Sequence, residues 1–296
     1  MLFRSSPVQF FLQKNPVYKG TVEVNGGKFS FTFIVPKDIS YQIGPGKISY
    51  YARSSDTDAN GSGMVYVGGY DNKAQPDTQG PDLELFMNSR NFRSGGITNQ
   101  NPVLIADVRD PAGINTVGNG IGHDITAILD ETSNNPIILN DYYLADLNTY
   151  KSGVITYPMS NLANGPHTLT VKVWDVYNNS TSKTIYFTVV STDEFVVEKL
   201  YNYPNPMTNQ TTFSWETNQV NVATEAEISI YSMTGELVWV LKESFQNTDF
   251  RSNSIRWDGN SSSGGKPGSG MYVVNLKLEL SNGSTVRKSS KLVVIR

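Results

Sequence analysis

The chain lacks cysteine altogether, has two histidines, and carries only 17% charged residues, against a usual ~25%. Without a thiol there is no disulfide, no zinc–thiolate or iron–sulfur ligand set, and no cysteine nucleophile. An excess of positive charge is also missing. Lys+Arg is 24 and Asp+Glu is 27, a net charge of -3. Binding a phosphate backbone needs a basic face, so nucleic acid is excluded as the main partner. No polybasic cluster addresses an anionic membrane either. No run approaches the ~20 apolar residues of a spanning helix, so the chain reads as not membrane-spanning. Residues 1–12 (MLFRSSPVQFFL) hold one Arg and a short apolar run with no small-residue cleavage site. They make a poor signal peptide, and Met1 reads as a point inside a longer chain. Helical periodicity is nearly absent.

What the chain has is glycine, tyrosine and neutral polar residues: 25 Gly and 16 Tyr, with many Asn, Ser and Thr. Asn and Gly supply positive φ for turns, and Tyr and Thr suit a pleated surface. Period-two alternation bounded by Gly, Pro and Asn recurs along the whole length. Residues 17–24 (VYKGTVEV) and 28–35 (KFSFTFIV) read as strands joined by the hairpin turn Asn25-Gly26-Gly27. In the second, Phe29, Phe31, Phe33 and Val35 share one face. Residues 47–52, 82–87, 103–108, 124–129, 167–174 and 183–190 continue the series. The polar stretch 70–81 (YDNKAQPDTQGP) marks one domain boundary and 191–194 (STDE) a second. Beyond it, seven or so strand candidates crowd into the last part, from 211–216 to 288–295. The expected fold is all-β: tandem immunoglobulin-like β-sandwiches with very little helix. The expected modules are an N-terminal β-rich module over 1–76, a sandwich over 77–192 and a second sandwich over 193–296.

Few residues offer chemistry. Asp56, Asp58 and Asn60, followed by Gly61, fit the first half of a calcium loop, in which alternate oxygen donors converge on a hard cation. Position 12 of such a loop would be Val67, not a bidentate Glu, so calcium is a possible cofactor there and an Asx-rich turn the plainer reading. His123 and Asp124 are neighbours, and in a strand neighbours point to opposite faces. No serine is picked out to complete a hydrolytic triad with them. His167 opens a strand and reads as a packing or capping residue. The glycines of 118–122 (GNGIG) precede no helix pattern and no Lys-Ser/Thr, so they cradle no phosphate. The four Trp (Trp174, Trp215, Trp239, Trp257) and the Tyr pairs 50–51 and 142–143 could form a sugar-stacking platform, but core and half-buried sheet packing is the plainer reading. Trp257-Asp258-Gly259 reads as a strand end anchored in the core and followed by a turn.

The last hundred residues carry a specific pattern. Tyr203-Pro204-Asn205-Pro206 is followed by IYSMTGELV (230–238), by Trp257-Asp258-Gly259, by Gly270-Met271-Tyr272, and by a closing Lys291, Leu292, Val293, Val294, Ile295 and Arg296. This resembles the C-terminal sorting domain of type IX secretion cargo, related to the FlgD immunoglobulin-like fold. Met207 departs from the Phe usual in that family, and a Met can fill the same apolar slot. Upstream, 33–52, 95–130, 139–150 and 167–180 resemble the region behind the peptidase domain in PorU-like sortases, the gingipain-type cysteine peptidases of type IX secretion. The resemblance covers nearly the whole chain. It implies a Cys–His peptidase domain preceding these modules in the longer protein, while this chain holds no Cys and no such dyad.

The resemblance also implies the partners: the outer-membrane barrel protein PorV, the type IX translocon, and the chain's own or a neighbouring peptidase domain. It implies a location at the cell surface, outer-membrane associated or extracellular. Under it, the residues expected to serve sorting or docking are Lys291 to Arg296. A strand edge there would offer backbone donors and acceptors to a partner, and Arg287, Lys288, Lys291 and Arg296 make that end locally basic. Function then reads as a non-catalytic scaffold and docking region of such a sortase. The alternative is a surface adhesion or carbohydrate-binding sandwich. An independent enzyme is the weakest reading, because no activated nucleophile stands out.

Overall fold

Period-two sequence demands strands, and among its described residues the computed structural model contains eighteen of them with one 3-10 turn, Asn140–Tyr142. It describes residues 16–37, 39, 42–69, 71–73, 76–117, 122–131, 135–191, 195–247, 250–251 and 254–296. The stretch read against a signal peptide (1–12), most of the glycine run at 118–122, and residues 192–194 of the second boundary lie outside the described residues. The chain divides into two compact units. The first comprises 1–84, 106–156 and 170–183; the second comprises 85–105, 157–169 and 184–296.

The first unit begins with the expected turn. Asn25 and Lys28 exchange backbone hydrogen bonds of 2.9 and 3.1 Å. Gly26 and Gly27 take φ of 58° and 75°, as a two-residue hairpin turn requires. The ladder does not continue, so the two predicted strands around it are a single bridge. Ring stacking orders this stretch instead. Tyr18 lies 4.7 Å from Phe33, and Phe31 lies 6.2 Å from Phe33 and 6.5 Å from Phe29. Next comes a long hairpin, β1 (Gly44–Arg53) against β2 (Asp58–Val67), a two-stranded sheet of its own. One face alternates half-buried Ile48, Tyr50 and Ala52 with exposed residues, as period two dictates.

Residues 82–189 supply two sheets. One has the order β3 (Asp82–Met87), β5 (Val103–Arg109), β9 (Ser152–Pro158), β8 (Tyr143–Ala145). The other has the order β4 (Gly96–Thr98), β11 (Ser180–Val189), β10 (Gly165–Trp174), β6 (Thr126–Leu129), β7 (Ile137–Ile138). Within the first unit, Ala106, Val108, Ile125, Ala127, Leu139, Ile155, Val171 and Val173 are buried. Within the second unit, Met87, Leu104, Leu169, Ile185 and Phe187 are buried.

The second unit ends in a seven-stranded sandwich. Three strands, β12 (Val197–Tyr203), β13 (Thr211–Thr217) and β16 (Ser254–Trp257), form one sheet. Four form the other, in the order β15 (Leu237–Asn247), β14 (Val222–Ser232), β17 (Gly270–Leu280), β18 (Thr285–Val294). All pairs are antiparallel. The core between them holds Phe213, Trp215, Ile228, Ile230, Trp257, Leu276 and Leu292. Each sheet contributes alternate residues to it, which is how two pleated faces close on one another.

Candidate functional site: the end of the sandwich where the motifs meet

The motifs of the last hundred residues are far apart in sequence and adjacent in space. Asn205 lies beside the last strand and pairs with it as a strand would. Its Nδ2 donates to the Lys291 carbonyl at 3.0 Å, and its Oδ1 accepts from the Val293 amide at 2.9 Å. Met207 continues the pairing: its amide donates to Val293 O and its carbonyl accepts from the Ile295 amide, both at 2.8 Å. The Met207 side chain is fully buried in the core, so the thioether does occupy an apolar slot. β18 is the last strand of its sheet, but over 291–295 its outer edge is already hydrogen-bonded to 205–207.

Arg296 ties three loops together. Its Nη1 donates to Thr208 O, its Nη2 to Gly259 O at 2.7 Å, and its Nε to Pro267 O at 3.3 Å. Its amide donates to Ser269 Oγ at 2.9 Å. Bonds from a charged donor are the stronger class, and three carbonyls match a guanidinium fork. Gly259 stands at the crossing. Its φ is +78°, and a Cβ there would lie 2.5 Å from Asn209 O, 3.0 Å from Met207 Cε and 3.2 Å from Arg296 Nη2. Trp257 is fully buried, its Nε1 donating to Asn260 O at 2.7 Å. Asp258 accepts from the Asn260 amide at 3.0 Å and from its Nδ2 at 2.8 Å. These bonds hold the Asp258 carboxyl below the usual carboxylate range. The Tyr272 hydroxyl donates to Gly268 O at 2.8 Å. Tyr203, Met271 and Ile295 are exposed in this region, and so are Lys291 and Arg296.

The other candidate residues fall elsewhere. Asp56 lies in the turn between β1 and β2, while Asp58 and Asn60 lie within β2, opposite Arg53 and Tyr51. The Tyr51 hydroxyl donates to Asp58 Oδ2 at 3.2 Å. A strand spaces alternate side chains along one face, whereas a calcium loop wraps them around the ion. His123 packs on Trp174 with centroids 4.4 Å apart. His167 Nε2 contacts Ala163 O at 2.7 Å and its ring stacks on Phe187, as a capping residue would.

One acidic group escaped the sequence reading. Asp77, Asp110 and Asp175 bring one carboxylate oxygen each within 4.8 Å of one another. Asp110 and Asp175 are buried. Asp110 Oδ1 accepts from the Ala112 and Gly113 amides at 2.7 and 3.1 Å. Asp175 Oδ1 accepts from the Tyr177 and Asn179 amides at 2.8 and 2.7 Å. Desolvation first, then the charges of Asp175 and Asp77, push the Asp110 carboxyl up from its ordinary value. These oxygens could hold a hard cation by their chemistry. The only signal in the sequence was an Asp at a strand end followed by turn residues, which also describes an ordinary Asx turn.

Residues 202–294 match the family described as the secretion system C-terminal sorting domain. They are a sorting domain of that family. The match spans the Asn205 bridge, the Trp257-Asp258-Gly259 turn and nearly all of the closing strand. Among solved structures, the chain is similar to PorU from Porphyromonas gingivalis, crystallised as a latent dimer. It is 31% identical, over 89% of this chain and 25% of that one, with a TM-score of 0.40. The chain thus spans about a quarter of that protein. It is also similar to the Bacteroides ovatus glucan-utilisation protein SGBP-B, solved with a mixed-linkage heptasaccharide: 11% identical, over 85% of this chain and 53% of that one, TM-score 0.31. The FN1–FN3 domains of chicken CNTN1 are 9% identical, over 84% and 78% of the two chains, TM-score 0.26. No curated protein matches. The sorting domain indicates a secreted or cell-surface protein.

Proposed function

We propose that this chain is a non-catalytic scaffold and docking region of a PorU-like cell-surface sortase. Its sorting domain carries the protein through type IX secretion and docks it at the outer membrane, with a barrel protein such as PorV as partner. The observation that carries the reading is the sorting-domain match over 202–294. The 31% identity to PorU along most of the chain supports the sortase part. The family's peptidase chemistry needs a thiolate, and this chain contributes no cysteine to it. Lys291 to Arg296 take part through structure. Leu292 and Val294 fill the core, and Arg296 fixes the loops around Thr208, Gly259 and Pro267.

The glycan-binding alternative gains nothing from the tryptophans. Trp215 and Trp257 are fully buried and Trp174 and Trp239 half-buried, so no row of exposed indoles is available for stacking. A calcium ion at Asp56, Asp58 and Asn60 forms no part of the reading.

The test fuses the whole chain behind a reporter with an export signal in a bacterium that has type IX secretion. The reporter is expected at the surface, and Arg296→Ala or deletion of 291–296 is expected to retain it in the periplasm. Surface arrival that is indifferent to both changes would overturn the proposal.

A further inference from the structure

The two edges of the four-stranded sheet differ. Over 291–295 the β18 edge is sealed by Asn205 and Met207. The β15 edge, at the other side, carries one backbone contact among the described residues, from the Ser262 amide to Val238 O at 2.9 Å. From Val240 to Gln246 its outer side has no backbone partner among them. The facing sheet has three strands against four. Leu241 and Glu243 sit opposite Ile228 and Ala226 in register. They therefore share the inward face with two fully buried residues. Yet Leu241 is 38% exposed and Glu243 is exposed. On either side of them the inward face is covered: Trp239 packs on Trp257 at 5.9 Å, and Phe245 meets Trp215 edge-on at 5.4 Å.

Natural edge strands are blunted by charge, proline or bulges. Over 240–246 the only lysine is Lys242, and it is engaged on the outer face with Glu227 at 3.3 Å and Glu225 at 3.7 Å. Glu243 has no cation partner among the described residues. The result, among the described residues, is a long edge without backbone partners, an exposed leucine, and a carboxylate without a cation two residues further on.

We propose that β15 is the docking edge of the sorting domain, and that it accepts one extended strand from a partner. That strand carries an apolar residue against Leu241 and a Lys or Arg against Glu243. Main-chain bonds would supply affinity and the alternate side chains selectivity, the physics of strand addition. The unmatched charge of Glu243 argues for a basic strand, since opposite charges facing across a strand pair are favourable and like charges are not. The proposal rests on the sorting-domain reading and names the edge through which it acts.

Two arms test it with the whole chain. In the first, surface delivery is compared for the wild type, Leu241→Lys and Glu243→Lys, with melting curves to confirm folding. Both residues are exposed, and Glu243→Lys removes no packing. If the wild type fails to reach the surface, the secretion reading fails. If the wild type and both folded variants arrive equally, the docking edge fails and the secretion reading stands. In the second arm the probe is a synthetic extended peptide in which Val and Lys, two residues apart, alternate with Thr. Glu243→Lys is expected to weaken its binding at least about tenfold, and replacing the peptide's Lys by Glu to restore it. Equal binding to every variant, or binding to none, overturns the proposal. Self-association of the wild-type chain in sedimentation, lost in Glu243→Lys, would also overturn it by giving the edge to a second copy.

Discussion

Replacing Gly259 by Ala tests whether the motif loops are held as one unit. Two glycines of the sorting domain, Gly235 and Gly259, have nearly the same backbone, with φ of +87° and +78°. An L-residue in that region costs roughly 1–2 kcal/mol. Around Gly235 nothing lies within 4 Å of a Cβ, so Gly235→Ala meets that cost alone. At Gly259 the added methyl would stand 2.5 Å from Asn209 O, closer than real Cβ contacts allow, and 3.2 Å from Arg296 Nη2. Relieving the overlap moves the 208–209 backbone or the guanidinium, and with it the bonds from Arg296 to Thr208 and Gly259. A hydrogen bond to a charged group contributes about 1.5–3 kcal/mol. The expected loss for Gly259→Ala is therefore about 2.5–5 kcal/mol, a large part of a domain's usual ~5–15. Urea unfolding followed by tryptophan fluorescence reads it, because Trp215 and Trp257 are both fully buried in this domain. Equal losses for the two alanines would refute the reasoning. They would mean that the loops yield without cost and that Arg296 holds nothing.

Met207→Ala should cost about 2–5 kcal/mol in the same assay, the usual range for a fully buried side chain. Tyr201→Phe should lose about 1.5–3 kcal/mol, since it strips the 2.7 Å hydroxyl bond from the buried Glu216 carboxylate. The phenol of Tyr201, pushed up chiefly by burial and then by its bond to Glu216, should stay protonated in an alkaline ultraviolet titration after exposed tyrosines have ionised. Asp110→Asn should raise the urea midpoint near neutral pH. It keeps an oxygen for the Ala112 and Gly113 amides and removes a charge that Asp175 and Asp77 oppose. The sign follows from the raised carboxyl. The destabilisation is full above the folded-state pKa and fades as pH falls through it toward the ordinary ~3.9. The two curves should therefore converge in acid, and a gain that grows on acidification would contradict this.

Much of the fold was written in alternation and turn chemistry. Leu169, Val171 and Val173 face inward as their spacing requires, and residues 82–87 are a strand with the bounds expected. Short strands without a strong period, such as Tyr143–Ala145 and Ile137–Ile138, gave no such signal. Neither did the failure of residues 17–24 and 28–35 to pair beyond one bridge. Alternation reports that a face is half-buried, but it is silent on which backbone lies alongside. The same silence hid the acid group, because Asp77, Asp110 and Asp175 come from separate loops.

By itself the sequence determined that this is an all-strand chain with no thiol chemistry of its own, ending in the marks of a sorting domain. Those properties depend on residue type and local spacing, which a linear string displays in full. Only the tertiary structure decided which edge is open. The end of the last strand, exposed by its position in the sheet, is closed over 291–295 by an asparagine side chain and a methionine backbone from far upstream. β15, which nothing in its sequence sets apart, has no backbone partner on its outer side from Val240 to Gln246 among the described residues and leaves Leu241 and Glu243 exposed on its inward face. Edge and centre are relations between distant segments, fixed only when the two sheets close on each other with unequal numbers of strands.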